Sequence, residues 1–156
     1  MPTGTVALSG IQNIDALLSG LRWTGSIVYG FPDSGAEYGS YSHLVDHDNN
    51  PNTPAITVDE SAGFSTLTAE QRTIATRVFG DLAGMVTTTV SQVIPGGIGD
   101  IRLGLSSTMT PGNSGAYANF PGQSPGGHSD AWFVNTTVAA PNLGTRDYLA
   151  FYHEIG

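Results

Sequence analysis

The stretch that begins at Thr68 limits the possible folds more than any other part of this 156-residue chain. Thr68 and Gln71 form a capping box: the threonine hydroxyl can accept from the N–H three residues on, while the glutamine reaches back to the N–H of the cap. Behind that start, Ile74, Ala75, Val78, Phe79, Leu82, Met85 and Val86 fall at spacings of three and four, which places them in one apolar stripe on a helix. Gly80 and Gly84 weaken that helix locally. A helix with one apolar stripe must lay it against a second apolar layer.

The segments around it supply that layer. Ser26 to Phe31 (SIVYGF) is rich in strand formers and is stopped by the turn cluster Pro32-Asp33-Ser34-Gly35. Val86 to Ile94 (VTTTVSQVI) predicts a strand leaving the helix, closed by Pro95-Gly96-Gly97. Asp100 to Leu105 alternates in the strand manner, with Ile101, Leu103 and Leu105 on one face. Gly115 to Phe120 and Asp130 to Val134 predict two shorter strands, separated by the glycine-rich loop Pro121 to Gly127. Ile11 to Leu21 carries apolar residues at helical spacing, and Thr145 can cap a last helix running through Tyr148, Leu149, Phe151, Tyr152 and Ile155. The polar stretch between Pro32 and Ser65 is expected to be a long surface excursion. The predicted architecture is α/β, an α+β arrangement with a mixed sheet of about five strands, two long helices and an N-terminal helix.

Length gives an expectation of one domain with a core of its own. The chain has no cysteine, which removes disulfides, thiolate metal ligands and a cysteine nucleophile from its chemistry. Its 21 glycines and nine prolines speak for many loops, and 39% hydrophobic residues speak against disorder. Five arginines against thirteen acidic residues give a net charge of −8, a field that repels phosphate backbones and anionic lipid. Neither nucleic acid nor a membrane is therefore an expected partner. No run of about 18 apolar residues is present, and no basic region of the kind that opens a secretory signal stands at the N-terminus. The run Gly96 to Asp100 (GGIGD) is similar to one calcium-binding nonapeptide, but it occurs once and reads as a turn before a strand.

The chemistry-bearing residues lie at the end of the last helix, His153-Glu154-Ile155-Gly156. In a helical His-Glu-x-x-His, histidines at i and i+4 share a face and can bind one zinc, and the adjacent glutamate can act on metal-bound water. Upstream lie IDALLSGLRW, SIVYGFP, the helix starting LTAEQ, the strand DIRLG, AYANFPG, the strand DAWFVN and NLGTRDYLAFYHEIG. In this order, and over nearly the whole chain, they resemble the catalytic domain of the serralysin-type metzincin proteases, secreted zinc-dependent endopeptidases.

That resemblance implies a metzincin-like upper subdomain, with residues 1–156 the N-terminal part of a catalytic domain that lacks its C-terminal subdomain. It implies that His153 is the first zinc ligand and Glu154 the catalytic general base. In the family the helix continues as HEIGHALGLxHP, and the other histidines lie beyond Gly156. With one ligand of three, this chain alone is expected to be inactive and to bind zinc weakly. The segment Ala116, Tyr117, Ala118 and Asn119 matches the edge strand along which the family lays its polypeptide substrate. The resemblance further implies Ca2+ in repeats toward the C-terminus, export by a C-terminal signal and an extracellular destination.

Other residues are candidate ligands by type. His43 and His47, flanked by Asp46 and Asp48, would suit a metal if helical, but Ser40, Ser42, Asn49, Asn50 and Pro51 around them favour a solvated loop. A calcium loop starting at Asp46 fails, since Pro51 and Thr57 stand where glycine and glutamate are needed. His128 and Asp130 together fall short of a closed metal site. The competing reading is a non-catalytic binding or structural module built on the same kind of sheet.

Overall fold

A computed structural model of the chain describes residues 3–7, 10, 21–39, 41–45, 54, 56–94, 97–109, 115–136 and 138–155. In chain order the strands are β1 (Thr3–Thr5), β2 (Leu21–Trp23), β3 (Ile27–Gly30), β4 (Ser42–Val45), β5 (Ile56–Asp59), β6 (Phe64–Ser65), β7 (Val90–Gln92), β8 (Ile101–Ser106), β9 (Ala116–Ala118) and β10 (Ser129–Val134). Two α-helices are described, α1 (Ala69–Ala83) and α2 (Arg146–Ile155).

Among the described residues the main sheet has six strands, in the order β7-β3-β8-β10-β9 with β6 pairing β8 off that path. β7, β3, β8 and β10 run parallel, while β9 is antiparallel to β10 and β6 antiparallel to β8. Parallel neighbours need a crossover, and the connection from β3 to β7 carries α1. The capping box read from the sequence is formed: Gln71 N–H donates to Thr68 Oγ1 at 3.2 Å, and Thr68 N–H donates to Gln71 Oε1 at 2.8 Å.

Both helices cover one face of the sheet. There Val78 and Phe79 of α1 and Phe151 of α2 meet Tyr29, Leu103, Leu105, Ala131 and Phe133 from the strands. The Tyr29 and Phe79 rings stack with centroids 3.8 Å apart, and those of Phe133 and Phe151 lie 4.6 Å apart. The opposite face holds a second cluster, Tyr38, Tyr41, Met109 and Trp132, with Phe64, Tyr117 and Val134 packed against it. Gly104 of β8 has to be glycine, since a Cβ there would lie 2.5 Å from the Tyr38 hydroxyl and 3.0 Å from the Trp132 ring.

Several expectations need correction. The excursion between Pro32 and Ser65 is not all loop: Gly35–Tyr38 and Glu60–Gly63 form 3-10 turns, and β4 pairs antiparallel with β5. The β-branched run Ile56-Thr57-Val58 carried that signal, masked by the proline and asparagine residues before it. The strand expected over Val86 to Ile94 is confined to β7, because Gly84 ends α1 and the N–H groups of Met85 and Val86 still bond to the carbonyl of Leu82. Leu21 belongs to β2, paired with Thr5 of β1, rather than to a helix; the rest of the N-terminal helix expectation lies outside the described residues. His43, expected in a solvated loop, stands instead in β4, opposite Val58. His47, Asp46 and Asp48 lie outside the described residues.

Candidate functional site

Helix α2 presents His153 and Glu154, and its start is fixed by local chemistry. The Thr145 hydroxyl accepts from Tyr148 N–H at 3.3 Å and donates to the Asn142 carbonyl at 2.7 Å, as expected for an N-cap. Asp147, in the first turn, accepts from Ala140 N–H at 2.9 Å. Buried Phe151 anchors the helix on the sheet against Phe133, and the Tyr152 hydroxyl donates to the Asp81 carboxylate of α1.

This anchoring decides what the last turn faces. Glu154 and Ile155 follow Phe151 by three and four residues, which puts them on the side of the helix that meets the sheet. Both are half-buried, while His153 is exposed. Burial pushes the Glu154 carboxyl above its usual range, and the neighbouring His153 opposes that shift.

A cleft of about 410 Å³ opens at this end of the sheet. His153, Glu154 and Ile155 line one wall; Ala118, Asn119, Phe120 and Pro121 line another; Phe79, Leu82, Ile101 and Ala131 contribute to its apolar interior. Of the sequence-predicted site residues, the cleft therefore brings together His153, Glu154, Ala118 and Asn119. It does not include Ala116, which is buried in the helix-side core, or Tyr117, whose ring lies on the opposite face. Burial and the neighbouring Tyr41 and Glu60 raise the Tyr117 hydroxyl well above its ordinary value.

Strand β9 ends the sheet path, antiparallel to β10, with Ala118 opposite Ala131 and Tyr117 opposite Trp132. Its position is that expected from the sequence, but it is shorter than Gly115 to Phe120. Beyond it, Asn119 N–H donates to the Asp130 carbonyl at 2.9 Å, the Asn119 carbonyl accepts from the Ser129 hydroxyl, and the Asn119 amide group donates to Ser124 Oγ at 3.1 Å and to the Tyr41 hydroxyl.

Asp130, weighed as a metal ligand, has another partner. Arg102 and Asp130 are opposite one another in the β8–β10 register and form a bidentate pair, Nε to Oδ1 at 2.6 Å and Nη2 to Oδ2 at 2.7 Å, with 1% and 0% exposure. His128 sits beside the cluster and shares a 2.8 Å hydrogen bond between Nδ1 and the Gly99 carbonyl. Burial and the Arg102 charge hold its pKa below the ordinary histidine value. Sequence reasoning missed this cluster, although a charged residue at the centre of an otherwise apolar strand, Arg102 in DIRLGL, was the available signal.

Among the described residues, no three of histidine, aspartate and glutamate come together in a group that could hold a metal ion, and no helix is long and apolar enough to cross a membrane. Compared with models of known families and with curated proteins, the chain finds no match.

Proposed function

We propose that this chain contributes part of the active site of a secreted zinc-dependent metalloendopeptidase of metzincin type. In this reading His153 is a metal ligand, Glu154 is the general base, and Ala116, Tyr117, Ala118 and Asn119 form the edge along which a polypeptide substrate lies. One observation carries the reading: Ala118, Asn119, His153 and Glu154, from distant parts of the chain, line the same cleft.

Glu154 suits the role of proton acceptor. A carboxyl raised by partial burial binds a proton more firmly than an exposed one, which improves it as a base. Among the described residues β9 is the last strand of the sheet path, and an extended peptide added beyond it would take affinity from the main chain and selectivity from alternate side chains. Apolar side chains, among them Phe79, Leu82 and Ile101, line the same cleft as the carboxylate.

The donors described here do not by themselves fit catalytic zinc, which takes three protein ligands, because His153 supplies a single nitrogen. The reading therefore requires the further histidines of the HEIGHALGLxHP pattern. Bound zinc would supply a Lewis acid that acidifies water and polarises a carbonyl.

The test uses a protein in which the helix continues through those histidines. His153→Ala should lose zinc and casein hydrolysis together. Glu154→Gln should keep its zinc and slow hydrolysis by roughly 100-fold or more, the scale of general-base loss. Undiminished cleavage by Glu154→Gln overturns the assignment of the base. Failure of the extended parent to take up stoichiometric zinc would favour a module that binds peptides along β9 without cleaving them.

A further inference from the structure

The segment that leaves β9 and returns as β10 is held from beneath by Arg102. Its guanidinium uses every face: Nε and Nη2 donate to Asp130, Nη1 donates to the Glu37 carbonyl at 2.8 Å, Nη2 also reaches the Pro125 carbonyl at 3.4 Å, and its plane lies over the Tyr38 ring at 4.7 Å. Pro125 lies in the returning segment itself. Asp130 N–H donates to Ser124 Oγ at 3.0 Å, and Ser124 Oγ accepts in turn from the Asn119 side chain. A chain of directional bonds, buried at Asp130 and partly buried at Asn119, thus runs from β8 through Asp130 and Ser124 to the residue that follows the edge strand.

We propose that Arg102 is a positioning residue for the peptide-binding edge, acting through Asp130 and Ser124 to set where β9 ends and where Asn119 meets the substrate. This rests on the reading that a peptide lies along Ala116 to Asn119. The argument turns on what an ion pair does in this location. A buried pair adds little net stability over well-packed apolar side chains of similar volume, because desolvation offsets most of the attraction. A planar fork does what apolar side chains cannot: it fixes two carbonyls and a carboxylate at set angles. Lysine, a point charge on a flexible stem, would keep the charge and lose those angles.

The test takes the full chain, isotope-labelled, with oxidised insulin B chain as the peptide probe. Amide exchange is followed at Asn119, in the segment, and at Val93, whose N–H bonds to the Tyr29 carbonyl on the far side of the sheet. Arg102→Lys removes the fork; Ser124→Ala removes the relay and is the variant to use if Arg102→Lys does not fold. In Ser124→Ala the Asn119 amide should exchange at least ~10-fold faster with Val93 unchanged, the sign of local rather than global opening. B-chain affinity should weaken at least ~5-fold by the same loss of preorganisation. Arg102→Lys should show the same pattern, more strongly. Equal acceleration at both amides, or unchanged affinity in both variants, overturns the proposal. If the unaltered chain does not bind B chain, the peptide-edge reading fails, and the proposal fails with it. Selective exchange at Asn119 would then show only that the relay shapes the segment.

Discussion

The two faces of the main sheet are built from the same strands by opposite means. On β8 and β10 the residues alternate: Leu103, Leu105, Ala131 and Phe133 meet the helices, while Arg102, Gly104, Asp130 and Trp132 look the other way. The helix side is held by area, since burying a leucine or phenylalanine fully is worth about 1.5–3 kcal/mol and makes little demand on angle. The opposite side buries a guanidinium and a carboxylate, which tolerate burial because they bond to each other at set angles. The helix side therefore supplies cohesion, and the other side supplies geometry to the turns and segments that surround it. Both reach the cleft, one through α2 and the other through Asn119.

The sharpest way to break this contrast is to unpair the charges. Asp130→Ala leaves Arg102 buried without its carboxylate and should cost about 3–5 kcal/mol in urea unfolding. Replacing both partners, Arg102→Met with Asp130→Leu, should recover most of that loss. A double variant as unstable as the single one would show that the pair itself is a net source of stability and erase the distinction.

On the helix side, Leu103→Ala should cost about 2–5 kcal/mol, from lost transfer energy and the cavity left behind. Here a volume-conserving Leu103→Met should stay within about 1.5 kcal/mol, because area and fill matter more than directed bonds. A larger loss for methionine, measured by the same unfolding curves, would mean that this face is as exacting as the other.

The smallest expected effect is a pH dependence confined to the polar side. Because the folded state holds the His128 pKa below the ordinary 6.5, the folded protein binds this proton less readily than the unfolded one. The corresponding stability is present above that ordinary value and is lost as pH falls below it toward the folded pKa. Thermal unfolding of His128→Gln should therefore vary less with pH between about 5 and 7 than that of the unaltered chain. Parallel curves would remove His128 from the account.

How much of this was legible beforehand follows from the range over which each signal acts. Thr68 and Gln71, three residues apart, announce the start of α1, and Thr145 announces that of α2; a cap is satisfied by its own neighbours, so it can be read locally. The alternation in DIRLGL predicts a strand for the same reason. The β4–β5 hairpin was missed because its strands are separated by residues that speak for loop, and pairing is a property of two segments, not one. An edge place for β9 was implied by the resemblance alone, whereas the burial of Ala116 and the turning of Tyr117 to the far face depend on register with β10.

The sequence by itself determined where the two described helices begin and that DIRLGL and DAWFV form strands, which residue types were available for chemistry, and that histidine and glutamate would stand side by side on the last helix. Tertiary structure decided that Glu154 is half-buried against a cleft shared with Asn119, and that Asp130 pairs with Arg102 rather than with His128 as a metal ligand. The physical reason is that capping and periodicity are settled within a few residues of chain. Burial, pKa and ion pairing depend on which strands lie side by side, and 28 residues separate Arg102 from Asp130 until β8 and β10 come into register.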